Sequence, residues 1–435
     1  MKEIFVTGLC TLHWGRLEYG NIGNYYIVEP LVRQLHKHFP EAVIKTTFQM
    51  SKEFVEREHV EVLPMDLYYA WRGEEDVNQA YKDLKVALGE VEDTTTPYLE
   101  AIKNADLILN VSGDMWGDNA EHVGHKRFLV DCLKMKSAQV LGKKTILYAV
   151  TPGPFSKVDD PDLAKDVFQH FTKVVIREKI SESNLKKWGI STENVVWAPC
   201  PSYLFEPNYQ YESKWTDWIK STKENNKKVV GLTFGGFNMP VGPYDMWPRE
   251  EWQYDNFIEV ARYILEEQKA NLLIFSHTNG FELPPHFKLK SGRDFDILND
   301  FYGVLLKKYP QFKEQVCLVD EPLLPADIKS LISKMDILIT GRVHASVAAV
   351  SQCVPTIFIE YDGRVIYSDK MSGFSSIVNM EKYVCKPENA AAIKEKVGIC
   401  LNNLIIEREA LKEAVEKVKT QAVNIFEEIK NVCSR

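Results

Sequence analysis

Asp336-Ile337-Leu338-Ile339-Thr340-Gly341-Arg342-Val343-His344-Ala345 is the stretch that decides the reading of this chain. An acid followed by an unbroken apolar and β-branched run predicts a strand buried on both faces, as in a parallel sheet covered by helices. Gly341 permits a tight turn, and the residues after it take helical spacing. The stretch is therefore one strand–turn–helix step. Its chemistry lies at the turn: the amino end of a helix favours an anion, Arg342 adds a permanent charge, and His344 can donate a proton near neutral pH. A lone histidine at such a place is more often structural. The paired arginine, the glycine turn and the strand end weigh toward function.

The same alternation extends outward in both directions. On the carboxyl-terminal side and just before it, strands are predicted at 229–234, 271–276, 316–319, 336–340 and 355–359, with helices at 254–268, 296–308, 325–334 and 343–352. Nearer the amino terminus, strands at 4–9, 43–48, 106–111, 145–150, 173–176 and 194–197 alternate with helices that include 24–38, 125–141 and 178–187. Residues 64–97 fit poorly and read as an excursion over one sheet face. Tyr209 to Lys228 is polar and poor in aliphatic residues, so it reads as a linker. The expected fold class is α/β, with two Rossmann-like domains facing a cleft: 1–208, the linker 209–228, and 229–400. In 401–435, Leu411, Val415, Val418, Ala422, Ile425 and Ile429 recur at helical spacing and predict an amphipathic helix packing back on a domain or against a partner helix.

Composition agrees with two domains. The 435 residues exceed what one core usually serves, and 45% hydrophobic with 26% charged residues is the usage of a globular protein. A net charge of −8 leaves no global positive field for nucleic acid, so an anionic ligand must meet local arginines. No apolar run reaches the roughly 20 residues of a membrane span, and the opening segment reads as a strand, so the chain is expected to be cytoplasmic. The eight cysteines include no Cys-x-x-Cys pair, which argues against a zinc site or redox dithiol.

Open α/β sheets bind ligands beyond the carboxyl ends of their strands, so the polar residues there carry most weight. Gly20-Asn21-Ile22-Gly23-Asn24 leads directly into a helix, where glycines let backbone approach a ligand; a simple tight turn explains them too. Ser112 to Asn119 holds Asp114 and Asp118, either a base or hydroxyl acceptor or ordinary turn residues. Val174-Val175-Ile176-Arg177-Glu178 presents a guanidinium fork at a strand end, with a salt bridge as the alternative. His277, Glu360 and Asp362 follow further strand ends. Trp247 lies among the aromatic residues of 240–252, which suit either a sugar face or a core lid.

Taken in order, these segments resemble the polysaccharide pyruvyl transferase family. The resemblance is carried by Gly20–Asn24, Ser112–Asp118, Thr151-Pro152-Gly153-Pro154, Arg177–Ser181, and above all Arg342-Val343-His344-Ala345 followed by Val354-Pro355-Thr356-Ile357-Phe358-Ile359-Glu360-Tyr361-Asp362. Asn24 stands where the family carries an acid, and Ser112-Gly113-Asp114 replaces a glycine triplet. The resemblance implies a fold like that of the two-domain GT-B glycosyltransferases and transfer of pyruvate from phosphoenolpyruvate to a sugar as a ketal.

It also implies roles. Arg177, Arg342 and the turn at Gly341 would bind donor phosphate and carboxylate, and His344 would supply the proton. Beyond these three residues, the strand-end carboxylates Asp118 and Asp362 are candidates to take the hydroxyl proton as base. The acceptor side is expected in the first domain, and position alone makes Gly20, Asn21, Gly23, Asn24 and Asp114 there, with His277 and Trp247 of the second domain, acceptor or loop candidates. Phosphoenolpyruvate is expected as co-substrate, with no cofactor and no metal. The expected acceptor is a saccharide or lipid-linked saccharide, which would bring the chain close to a membrane surface, and a homo-oligomer is compatible. Nucleotide-sugar transfer and non-catalytic sugar or phosphate binding on the same scaffold are the alternatives.

Overall fold

The computed structural model describes residues 1–9, 20–64, 73–92, 94–241, 248–281, 289–361 and 370–434. Asp362 and Trp247 therefore lie outside the described residues. The chain forms two compact units. The first comprises Met1–Leu17, Val28–Pro201 and Gln421–Arg435; the second comprises Glu18–Ile27 and Ser202–Thr420.

Seven strands build the sheet of the first unit: β1 Glu3–Thr7, β2 Val43–Thr46, β3 Val60–Val62, β4 Leu107–Val111, β5 Lys144–Val150, β6 Lys173–Ile176 and β7 Val195–Trp197. They lie in the order β3-β2-β1-β4-β5-β6-β7, and every pairing is parallel. β4 is buried along its whole length, as its apolar run requires. The end of β1 abuts β4 so closely that a side chain at Gly8, whose φ is +133°, would meet Val111 O at 2.4 Å.

The second unit repeats the plan. Its strands are β8 Val229–Thr233, β9 Asn271–Ile274, β10 Asn279–Phe281, β11 Leu289–Ser291, β12 Val316–Leu318, β13 Ile337–Thr340, β14 Thr356–Ile359 and β15 Val384–Cys385. Six of these form a parallel sheet in the order β12-β9-β8-β13-β14-β15, while β10 and β11 make a separate antiparallel ribbon. In both sheets the first three strands run outward one way and the later strands the other. The order therefore reverses between β1 and β4, and again between β8 and β13, and such reversals are where doubly wound folds bind ligands.

Three segments depart from expectation. The excursion 64–97 contains the helix Glu74–Leu88, which packs on the helix Arg127–Val140 through Val77 and Ala80. Its first turn, Glu74-Glu75-Asp76, suits a helix amino terminus yet dilutes the apolar stripe that would have disclosed it. Tyr209–Lys228 is not a bare connection: it holds the helix Lys214–Glu224, started by reciprocal bonds between Ser213 and Thr216, with Trp215 and Ile219 buried in the second unit. Gly20–Asn24, expected with the first domain, clusters with the second unit.

The carboxyl-terminal helix, Leu404–Ser434, buries all six residues that predicted it. Leu411, Val415 and Val418 belong to the second unit; Ala422, Ile425 and Ile429 belong to the first. Lys144 Nζ donates to Val432 O and Cys433 O at 3.1 and 2.9 Å, tying the last turn to β5. The seven described cysteines are free thiols. No described helix is long and apolar enough to cross a membrane.

Candidate functional site

At the β8/β13 reversal of the second unit, buried Asn238 joins three strand ends. Its Oδ1 accepts from Gly235 N at 3.0 Å, and its Nδ2 donates toward Gly341 O, Ile359 O and Glu360 O at 3.3, 3.4 and 3.2 Å. A side chain at Gly341 would sit 2.0 Å from Asn238 Cγ, so the glycine of the turn is needed for this tie. Arg342 N then donates to Thr340 Oγ1 at 2.9 Å, and the helix Val343–Val350 begins.

Arg342 does not extend into open solvent. Its Nε donates to Asp294 Oδ2 at 2.7 Å and its Nη2 to Asp294 Oδ1, a bidentate pair in which Asp294 is 1% and Arg342 12% exposed. The guanidinium carbon also lies 5.8 Å from the ring centroid of Phe237. The expected anion fork is thus already engaged on one edge by a carboxylate.

His344, half-buried two residues further on, meets the glycine-rich segment directly. A Cβ at Gly23 would lie 2.3 Å from His344 Nδ1, so only glycine lets the imidazole reach this position. Asn21 caps the helix Ile22–His38 with its Oδ1 accepting from Gly23 N at 2.9 Å, while Asn24 N donates to Asn21 O and Gly20 O accepts from Asn279 N. The structure therefore brings together Gly20, Asn21, Gly23, Gly341 and His344, which lie more than 300 residues apart in part.

His277 is 2% exposed, edge-on to Tyr26 at 5.4 Å, and its Nε2 is buried without a hydrogen-bond partner among the described residues. Burial, helped by the charge of Arg342, pushes its pKa down to about 3, so the ring is neutral and no proton donor near neutrality. Nearby in the same unit, Lys329 is buried, donates to Phe205 O at 2.5 Å, and is pushed down to about 7 by burial and by Lys419. Glu360 accepts from Ser372 Oγ at 2.7 Å. Among the aromatic residues of 240–252, Trp252 is 59% exposed, whereas Arg249 is buried and donates Nη1 to Val241 O at 2.8 Å.

The first unit has its own polar strand ends. Arg177, 3% exposed, donates Nε to Thr151 Oγ1 at 2.7 Å and stands 4.0 Å from Asp114 Oδ1, itself 28% exposed. Gly113, at φ +58°, lies close against the same guanidinium. Burial raises the carboxyl of Glu178 above its ordinary value, opposed by the N–H and hydroxyl of Ser181 that donate to it and by Arg177. Asp118 accepts from Ser156 N and Oγ at 2.8 and 2.6 Å and from Lys157 N at 3.0 Å, so its carboxylate braces the loop after Pro154.

Two residues in this arrangement escape a reading of the sequence. Asn238 follows a Gly-Gly pair at a strand end, a signal present but unused; Asp294 reads only as an acid at a helix start. Among the described residues, no group of His, Cys, Asp or Glu could hold a metal ion.

Comparison with known proteins follows the same lines. The chain is similar to the structure of Anabaena HepE in complex with UDP (TM-score 0.58, 12% identity, all of both chains covered). It is also similar to a glycosyltransferase from Rickettsia africae (0.56, 10%, 100% of this chain and 99% of that one). A UDP-GlcNAc 2-epimerase from Methanocaldococcus jannaschii gives 0.55 at 15% identity, covering 92% and 93%. These likenesses establish the fold, two Rossmann-like domains of the GT-B-like type. No curated protein matches. The family profile described as polysaccharide pyruvyl transferase matches residues 21–363, from the Asn21 cap past the His344 turn, and on that match the chain belongs to the polysaccharide pyruvyl transferase family.

Proposed function

We propose that this chain is a transferase that moves pyruvate from phosphoenolpyruvate onto sugar hydroxyls as a ketal, in the building of a surface or exported polysaccharide. The observation that carries this reading is His344, held at a helix start against Gly23 and two residues from Arg342, at the strand-order reversal. Phosphoenolpyruvate needs N–H donors for its phosphate and carboxylate and a proton for its methylene carbon, and this turn offers both kinds of group.

In the proposed course, protonated His344 gives its proton to C3, making a methyl group and an electron-poor C2. A sugar hydroxyl adds at C2 and returns its proton to the imidazole. A second hydroxyl then replaces the phosphate, whose departure takes the second proton, and the ketal closes. No resident cofactor or metal is required. Arg177 of the first unit is a further candidate for an anionic group of a substrate, and Asp118 acts by holding its loop.

The test supplies the full-length protein with phosphoenolpyruvate and a panel of lipid-linked or aryl galactosides, glucosides and mannosides. Phosphate release with a matching gain in product mass is expected, and His344→Ala should abolish it while leaving the circular dichroism spectrum unchanged. A second reading, transfer from a nucleotide sugar, draws on the UDP complexes of similar structures. Sugar transfer from UDP-sugars, with phosphoenolpyruvate inert, would replace the first reading by the second.

A further inference from the structure

Arg342 is the arginine that the sequence singles out, yet its Nε and Nη2 are committed to Asp294. Asp294 is itself fixed. Its backbone N donates to Thr278 Oγ1 at 3.3 Å, and Thr278 is in turn bound to Ser276. Gly292, just before it, lies so close to Thr278 that a Cβ there would be 2.6 Å from Thr278 O. Space for the pair is also reserved from the opposite side, because a Cβ at Gly235 would fall 2.6 Å from Arg342 Nη2 and 2.7 Å from Asp294 Oδ1. A buried carboxylate, braced by the loop after β9 and faced by a side-chain-free position after β8, thus sets the plane of one guanidinium.

We propose that Asp294 is a positioning residue: it orients Arg342 toward the substrate anion and cancels its charge, so that donor binding at this turn depends on aimed N–H groups and not on net charge. The proposal rests on the reading of Arg342 and His344 as the donor site. It goes beyond that reading in giving a role to a residue that touches Arg342 and no reacting atom.

Removing the carboxylate charge then has two opposite consequences. Orientation is lost, which slows turnover, because misplacement by about 1 Å costs roughly 100-fold. The positive charge of Arg342 is unmasked, which strengthens attraction for a trianionic donor and makes it more sensitive to salt. Asp294→Asn should therefore lower kcat roughly 100-fold while KM for phosphoenolpyruvate falls or stays level, with a steeper rise of KM as salt is added. Gly235→Ala, which keeps both partners but displaces them, should lower kcat without that gain in salt sensitivity. A merely structural role would lower thermal stability and leave kcat, KM and salt dependence of the folded fraction as in the wild type; that result overturns the proposal.

A second measurement does not need turnover. The imidazole of His277 feels the charge of Arg342. In histidine-labelled protein, its nitrogen resonances should shift in both variants. If they stay at wild-type positions, Arg342 has not moved and the proposal fails. If wild-type protein releases no phosphate with any acceptor, the functional reading fails, while these resonances still decide whether Asp294 orients Arg342.

Discussion

The two units share a strand order and each sets an arginine at a strand end, but they hold those arginines differently. Arg177 is buried, bonded through Nε to the neutral hydroxyl of Thr151, with Asp114 at the limit of ion-pair distance and partly in solvent. Arg342 is clamped by both oxygens of a carboxylate that solvent hardly reaches. The first arrangement sets a guanidinium beside a hydroxyl, a partly exposed carboxylate and the buried Glu178; the second fixes its direction with one bidentate carboxylate. Similar scaffolds thus hold a strand-end arginine in two ways, one through a hydroxyl and one through a buried carboxylate.

The largest expected contrast is in stability. Arg342→Ala strands the buried Asp294 and should destabilise the second unit by about 3–5 kcal/mol. Arg177→Ala removes the bond to Thr151 and a counter-charge of Glu178, whose raised carboxyl can take up a proton, while Asp114 reaches water, so it should remove less, about 1–3 kcal/mol. Urea unfolding of each variant measures this, and equal losses would break the comparison. Gly23→Ala against Gly113→Ala is the next test. The first drives a methyl group into His344 and should lower turnover roughly 100-fold. The second meets Arg177 Nη1 at 3.6 Å, an ordinary contact, and costs about 1 kcal/mol for its positive φ, with turnover within a few-fold of wild type.

pH acts more gently, through two buried groups of the second unit. The unfolded chain binds a proton on His277 below about 6.5, whereas the folded ring resists until about 3, so stability should fall as pH drops between those values. For Lys329 the window lies higher: unfolded lysine stays protonated up to about 10.4 and the folded one only to about 7, so stability should rise as pH increases across that range. Lys329→Met should flatten the alkaline rise. The smallest effect expected is that of Asp118→Asn, which keeps part of the brace on Ser156 and Lys157 and should change turnover less than about 5-fold at any pH; a large, pH-dependent loss would instead make Asp118 a base.

Much of this was legible beforehand. The strand at Ile337–Thr340, its glycine turn and its helix follow from an apolar run that nothing but a covered parallel sheet accommodates. The stripe from Leu411 to Ile429 likewise states its burial. What could not be read depends on approaches between distant segments. Nothing near Asp294 in the chain announces Arg342, and Gly23 looks like any turn glycine until the imidazole is placed against it. The helix Lys214–Glu224 was hidden for another reason: its charged outer face swamps the few residues, Trp215 and Ile219, that it buries.

The contact of Gly23 with His344 has a consequence for biosynthesis. The two residues are 321 positions apart (344 − 23), and the second unit takes Glu18–Ile27 from one end of the chain and Ser202–Thr420 from the rest. At about 5–20 residues per second on the ribosome, the amino-terminal loop waits on the order of 20–60 s for its partner to be made. The first unit also waits, since it includes Gln421–Arg435, made after Ser202–Thr420 of the second. Neither unit is one uninterrupted stretch of sequence, so the Gly23–His344 contact forms only after the residues between them have been made.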